Sequence, residues 1–141
     1  YTVVHCTEGY LIADILAEQG VPAVCGPMIC ARTKPELAGL SLENCAKLLE
    51  AGVTVAIATD HPEVPVSFLA ASAGIAVTAG LPREAALRAI TISAAKAVGL
   101  EERLGSIAPG KDADLLVFAG DPLALGTAPE RVMIGGVWVT D

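Results

Sequence analysis

Two side chains in this sequence stand where they could take part in chemistry. His5 ends the short apolar stretch at residues 2–5, and Asp60 follows the apolar run at residues 53–59. A carboxylate at the end of a buried strand is costly unless a cation, a proton or several donors accompany it, and imidazole is the commonest metal ligand. Both residue types can bind a metal ion, but a lone histidine is more often structural, and Asp60 could instead cap a helix or lie in a surface turn.

The remaining candidates are weaker. His61 directly follows Asp60 and could contact a substrate, orient Asp60 or have no role, three readings that we weight equally. Glu8 and Glu63 are expected near the same face and could act as acids, but solvated carboxylates are the default. Because a catalytic zinc normally has three protein ligands and the chain has 2 histidines in total, it cannot supply a full histidine-rich centre alone.

The first half of the sequence alternates apolar runs with segments of helical spacing. This pattern predicts strands over residues 2–5, 21–28 and 53–59, helices over residues 8–19 and 41–51, and a long loop over residues 29–40. The spacing suits parallel β/α units with right-handed crossovers. His5 and Asp60 would then lie at the carboxyl ends of strands, which is the face that carries the chemistry in barrels of such units.

The second half of the sequence is predicted to be helical and then to form a small β module. The pattern predicts helices over residues 67–79, 83–90 and 93–98, a strand over 113–118, and a hairpin of 131–134 and 137–140 joined by Gly135 and Gly136. The change in pattern predicts two domains, residues 1–104 and residues 105–141. The fold class is therefore α/β with an added β module.

Composition excludes several functional classes. Hydrophobic residues make up 53% of the 141 residues, so the chain is expected to fold around a core. A net charge of −7 with scattered basic residues argues against nucleic-acid binding. No apolar run is long enough to span a membrane, and no secretory signal is expected at the N-terminus. The 4 cysteines lack a Cys-x-x-Cys pair and are expected to be reduced core residues of a cytoplasmic protein.

Several segments resemble the amidohydrolase superfamily. Residues 105–117, GSIAPGKDADLLV, resemble its closing motif G-S-I-x-P-G-K-x-A-D-L, and residues 89–100 resemble its A-x-T-x-N-P-A-K-x-L-G-L helix pair with Ser93-Ala94 in place of Asn-Pro. The stretches HCTEG at residues 5–9 and TDHP at residues 59–62 are similar to strand-end segments of the imidazolonepropionase-like branch. The resemblance covers essentially the whole chain.

The resemblance implies the C-terminal part of a (β/α)8 TIM-like barrel, made of the last three β/α units with extra helices, followed by part of a small β-sandwich. It implies that His5 and Asp60 bind a divalent metal, most plausibly zinc, and that His61 lies near the substrate. It also implies hydrolysis of non-peptide carbon–nitrogen bonds in small amides or cyclic amides, with metal-activated water as nucleophile and Asp60 as proton shuttle.

The sequence also departs from the family pattern. It lacks the His-x-His of the first strand, the bridging Lys or Glu of the fourth and the histidine of the fifth. We therefore expect a fragment of a longer enzyme that retains metal weakly or not at all and has no turnover alone. Open barrel edges predict a homodimer or larger assembly. The alternatives are a scaffold or assembly module without chemistry of its own, and a dipeptidase-like parent enzyme.

Overall fold

A computed structural model of the protein describes residues 1–32 and 34–139. Its helices and strands, in chain order, are α1 (Ala13–Glu18), β1 (Ala23–Cys25), α2 (Asn44–Glu50), β2 (Val55–Ile57), α3 (Leu69–Thr78), α4 (Arg83–Ala89), α5 (Ile92–Ala97), β3 (Leu115–Val117), β4 (Arg131–Ile134) and β5 (Val137–Trp138). Short 3-10 turns occupy Gly9–Leu11, Pro35–Leu37 and Val66–Phe68. None of the helices in these ranges is long and apolar enough to cross a membrane.

Three chain segments run parallel in the first half of the molecule. β1 pairs with β2 in parallel, with Ala23 opposite Val55. The segment at residues 3–6 runs along the other edge of β1, where Val3 forms a parallel bridge to Ala23 and the Cys6 amide donates to the Val24 carbonyl at 3.0 Å. The parallel arrangement predicted from the sequence is therefore confirmed, and all three carboxyl ends point the same way.

The predicted first strand, at residues 2–5, is present only as this bridge. The segment is bonded along one edge, and Val4 is 58% exposed. His5 then adopts a positive φ of 55°, which ends the extended conformation after too few residues for a full strand. The predictions for the second and third strands were also too long, because pairing extends over only 3 residues in each.

The prediction of one continuous helix over residues 8–19 was wrong. A 3-10 turn at Gly9–Leu11 comes first, Ile12 breaks the helical path with φ −132°, and only then does α1 begin. The amide of Tyr10 bonds at 2.8 Å to the side-chain oxygen of Asn44 instead of a helical carbonyl. This tertiary bond draws the start of the segment inward, which helical spacing alone does not reveal.

The later elements lie close to the predicted positions. α4 and α5 match their predicted ranges to within a residue at each end, whereas the predicted helix at 67–79 begins with the 3-10 turn before α3. β3, β4 and β5 form an antiparallel sheet in that order, which confirms the predicted hairpin. The predicted end of its last strand, Thr140, lies outside the described residues.

The loop after β3, at residues 121–123, packs on the helices, and the division into domains at residue 105 stays a prediction. Leu123 is buried in the main hydrophobic core, and its carbonyl lies so close to Gly74 in α3 that a Cβ there would be 2.3 Å away. Arg83 in α4 pairs with Asp121 at 2.6 Å. The hydrogen bond from this guanidinium, with that from the Leu123 amide, lowers the pKa of the Asp121 carboxyl.

The cysteines are free, and three of them are core residues as predicted. Cys6, Cys25 and Cys45 are buried. The hydrogen bond with Cys45, together with burial, raises the pKa of the Cys25 thiol well above its ordinary value, and burial raises the pKa of Cys6. At neutral pH these two thiols are therefore protonated and act as small apolar side chains.

Gly26, directly after β1, has a conformation and position that a side chain would disturb. Its φ is +136°, and a Cβ there would lie 2.0 Å from the carbonyl oxygen of Ala58. Glycine is therefore what allows the chain leaving β1 to pass close to the end of β2.

We expect Gly26→Ala to lower the free energy of unfolding by about 2–4 kcal/mol, since backbone strain and overpacking each cost roughly 1–3 kcal/mol. Urea denaturation measures the change. Gly110→Ala is the matched control, because Gly110 has φ +89° and nothing within 4 Å of a built Cβ, so only the left-handed strain of about 1–2 kcal/mol applies. Equal losses in the two variants would contradict the close approach at Gly26.

Candidate metal site

His5 and Asp60 lie side by side at the carboxyl ends of the parallel segments. His5 lies in the edge segment, residues 3–6, and Asp60 follows β2. β1 lies between the two in the sheet. The side chains meet across the end of β1, where the chain continues into Gly26. Nε2 of His5 is 3.1 Å from Oδ1 of Asp60. The structure thus brings together the two residues that the sequence predicted to share a rim.

Both residues adopt a backbone conformation that is uncommon for residues other than glycine. The φ angles of His5 and Asp60 are 55° and 57°, and they are the non-glycine residues with positive φ in the described part of the chain. Such conformations cost about 1–3 kcal/mol each and cluster at functional sites. The side chains are 61% and 41% exposed, so their mutual attraction contributes little to stability. The ion pair therefore does not offset the backbone strain at these two residues.

Asn44 at the start of α2 holds the backbone around this pair. It is 2% exposed, and its Nδ2 donates to the carbonyl of Cys6 at 2.6 Å and to the sulfur of Cys25 at 3.4 Å. Its Oδ1 accepts from the amide of Tyr10 at 2.8 Å. A single buried amide thus joins the residue after His5, the following turn and the end of β1.

Sequence analysis did not identify this role of Asn44. The signal in the sequence was a polar amide one residue before the buried pair Cys45 and Ala46. Its partner Cys6, however, lies 38 residues away in the chain, which local pattern does not encode.

A groove of about 210 Å³ opens beside the His5–Asp60 pair. It is lined by both residues together with Thr7, Gly26, Pro27, Cys30, Lys34, Leu37 and Glu63. His61, the predicted substrate-contacting residue, is exposed and does not line the groove, whereas Glu63 does. The role of His61 stays a prediction. Glu8 packs instead against Gly39, where a Cβ would lie 1.7 Å from its carboxylate.

The chemistry and spacing of the two donors fit one divalent ion. Metal–ligand distances of about 2.0–2.2 Å in a tetrahedral site place two donor atoms roughly 3.3–3.6 Å apart, slightly more than the observed 3.1 Å, which is also a hydrogen-bond distance. Imidazole together with carboxylate suits zinc. No group of three or more His, Cys, Asp or Glu side chains in residues 1–32 and 34–139 is arranged to hold a metal. The described residues thus do not form a complete metal site, and the role of His5 and Asp60 as ligands stays a prediction.

Known proteins share both the fold and much of the sequence. A crystal structure of an amidohydrolase from Thermotoga maritima MSB8 superposes with a TM-score of 0.93 and 46% identity, covering 98% of this chain and 36% of that chain. An adenosine deaminase from Xanthomonas campestris with bound zinc superposes with a TM-score of 0.70 and 27% identity, covering 97% and 36%. An imidazolonepropionase of Fusobacterium nucleatum is 30% identical over 117 residues, which are 77% of this chain and 28% of that protein.

These similarities extend over 77–98% of this chain but over a minor part of each relative. The chain spans 28% of the imidazolonepropionase and 36% of each of the two solved chains. Residues 2–140 of this chain match the model of the Amidohydrolase family. On this match and on the structural similarity, the chain belongs to the amidohydrolase family.

Proposed function

We propose that the protein containing this chain is a metal-dependent hydrolase that cleaves non-peptide carbon–nitrogen bonds in small amides or cyclic amides. The observation that carries the proposal is the 3.1 Å approach of His5 to Asp60 at the carboxyl ends of parallel segments. Family membership supports it, and a deaminase of similar fold also acts where nitrogen leaves carbon. A nucleic-acid substrate has no support, since the net charge is −7.

In this proposal the parallel segments are the last three strands of a (β/α)8 barrel, and residues 105–141 belong to a composite β-sandwich. The parallel order of residues 3–6, β1 and β2 supports the first assignment, because barrel strands are all parallel. The antiparallel sheet of β3, β4 and β5 supports the second. Active sites of such barrels lie at the carboxyl ends of the strands, where His5 and Asp60 are found.

The residues of this chain take distinct roles in the proposed reaction. His5 Nε2 and the Asp60 carboxylate would hold the divalent ion, with zinc favoured by the donor set and by the zinc in the similar deaminase. When bound, the ion would act as a Lewis acid that polarises the substrate carbonyl, and it would lower the pKa of the attacking water. Asp60 accepts the proton of the attacking water and passes it to the leaving nitrogen. His61, exposed beside Asp60, contacts the substrate.

We further propose that the enzyme works in the cytoplasm. The support is the set of four free cysteines, none of which is paired in a disulfide. Such thiols persist where the compartment is reducing.

In the enzyme that carries this chain, we expect Asp60→Asn to lower kcat by about 10²–10⁴, the usual contribution of a general acid–base group. A panel of N-acyl amides and cyclic amides, assayed with zinc and after chelation, provides the measurement. Chelation should abolish turnover. Asp14→Asn, on the exposed side of α1, is the matched control and should leave kcat unchanged. Turnover that survives both chelation and Asp60→Asn would refute the proposed chemistry.

A second proposal concerns assembly, and it rests on exposed apolar side chains along the edge segment at residues 3–6, the 3-10 turn Gly9–Leu11 and α1. Val4 is 58% exposed, Leu11 65% and Ile15 47%. An edge segment with apolar neighbours is a site for pairing with another chain. We propose that two copies of this chain associate through these surfaces, so that each copy buries the exposed apolar side chains of the other. Such an assembly would also suit the alternative function of a scaffold or assembly module.

Light scattering after size-exclusion chromatography tests this assembly. We expect at least twice the monomer mass of 14.3 kDa at micromolar concentration. The double variant Leu11→Glu with Ile15→Glu should shift the mass to the monomer, because unpaired charges are costly to bury in an apolar interface. A soluble monomer of the unaltered chain at all concentrations would contradict the proposal.

A further inference from the structure

The groove beside His5 and Asp60 contains one lysine whose charge is not used by the fold. The chain has 9 basic and 16 acidic residues, so acidic partners are abundant. Seven of the basic residues make ion pairs, hydrogen bonds or ring contacts: Arg32, Lys47, Arg83, Arg88, Arg103, Lys111 and Arg131. Within the described ranges, Lys34 and Lys96 make no such contact, and of these two Lys34 lines the groove.

The loop between β1 and α2 carries Lys34, which lines this groove. The amide of Leu37 donates to the Lys34 carbonyl at 3.0 Å, which fixes the backbone of Lys34 at the start of the 3-10 turn Pro35–Leu37. Arg32 bridges the loop by donating to the Leu40 carbonyl at 2.5 Å. Hydrogen bonds within the loop thus involve residues both before and after Lys34 in the chain.

The far end of the same loop is tied to the segment that follows His5. The hydroxyl of Tyr10 donates to the Gly39 carbonyl at 3.0 Å, and the Glu8 side chain packs against Gly39. At the near end, the thiol of Cys30 donates to the Pro27 carbonyl at 3.4 Å. These contacts connect both ends of the loop to the backbone near His5 and β1, so Lys34 and the His5–Asp60 pair line the same groove.

Resting on the proposed function, we propose that Lys34 binds a carboxylate of the substrate, so that the substrate class is small amides that carry a carboxylate. The other charged groups lining the groove, Asp60 and Glu63, are acidic, and neither forms an ion pair with Lys34. A single ammonium matches a single carboxylate, whereas a phosphate usually engages several donors or an arginine fork. The groove of about 210 Å³ is below the roughly 300–1,000 Å³ of pockets for drug-sized ligands, which fits a small molecule.

Two probes that differ only in charge test the carboxylate site. N-acetylglycine has an amide and a carboxylate, and N-acetylglycinamide is its neutral counterpart. Titrated into the isotope-labelled chain with zinc present, N-acetylglycine should shift the backbone amide NMR signals of Thr7, Lys34 and Leu37. We expect it to bind about three- to tenfold more tightly than the neutral probe, the range for a partly exposed charged hydrogen bond.

Variants at the two unpaired lysines separate the site from general charge attraction. Lys34→Met should make the two probes bind equally, and Lys34→Arg should keep the preference. Lys96→Met, which removes the same charge at a different pocket, should also keep it. Equal binding of both probes to the unaltered chain, no binding of either, or a preference that survives Lys34→Met would overturn the inference.

The same titration without zinc and with His5→Ala distinguishes this inference from the proposed function. A carboxylate preference that persists in the absence of a functional metal site would support Lys34 even if the hydrolase proposal fails. Zinc binding at His5 without any carboxylate preference would leave the hydrolase proposal standing and remove the role of Lys34.

Discussion

The structure depends on the parallel alignment of three short segments whose carboxyl ends open on one rim. Because residues 3–6, β1 and β2 run the same way, the residues that follow them are brought together although His5 and Asp60 are far apart in sequence. Gly26 keeps the middle position free of a side chain, and Asn44 fixes the backbone beside it. Without this alignment, neither the 3.1 Å approach nor the groove beside it would exist.

The positive φ angles of His5 and Asp60 cost free energy of folding at this rim. Two non-glycine residues with positive φ lie next to each other in space. The exposed ion pair between them contributes little to the free energy of unfolding. A buried amide, three core cysteines and the apolar contacts of β1 and β2 hold the surrounding backbone. Surroundings that hold side chains in place in this way favour a preorganised binding site.

The sequence predicted those parts of the molecule that follow from direction and periodicity. Apolar runs and turn residues located β1, β2 and the hairpin, and parallel direction alone was enough to predict that His5 and Asp60 share an edge. It could not predict the break at Ile12 or the role of Asn44, because both depend on a hydrogen bond between residues 34 positions apart. Lys34 lies in a long loop without periodicity, so only coordinates could show that it faces the groove.

The most direct test of the central claim is the position of a metal ion relative to this rim. Crystals of the chain soaked in millimolar zinc, with anomalous diffraction data recorded at the zinc edge, would locate the ion. In crystals of the whole enzyme that contains this chain, treated in the same way, the account requires a peak about 2.0–2.2 Å from both Nε2 of His5 and a carboxylate oxygen of Asp60. A peak only at other side chains, or His5 and Asp60 separated with no shared ion between them, would contradict it.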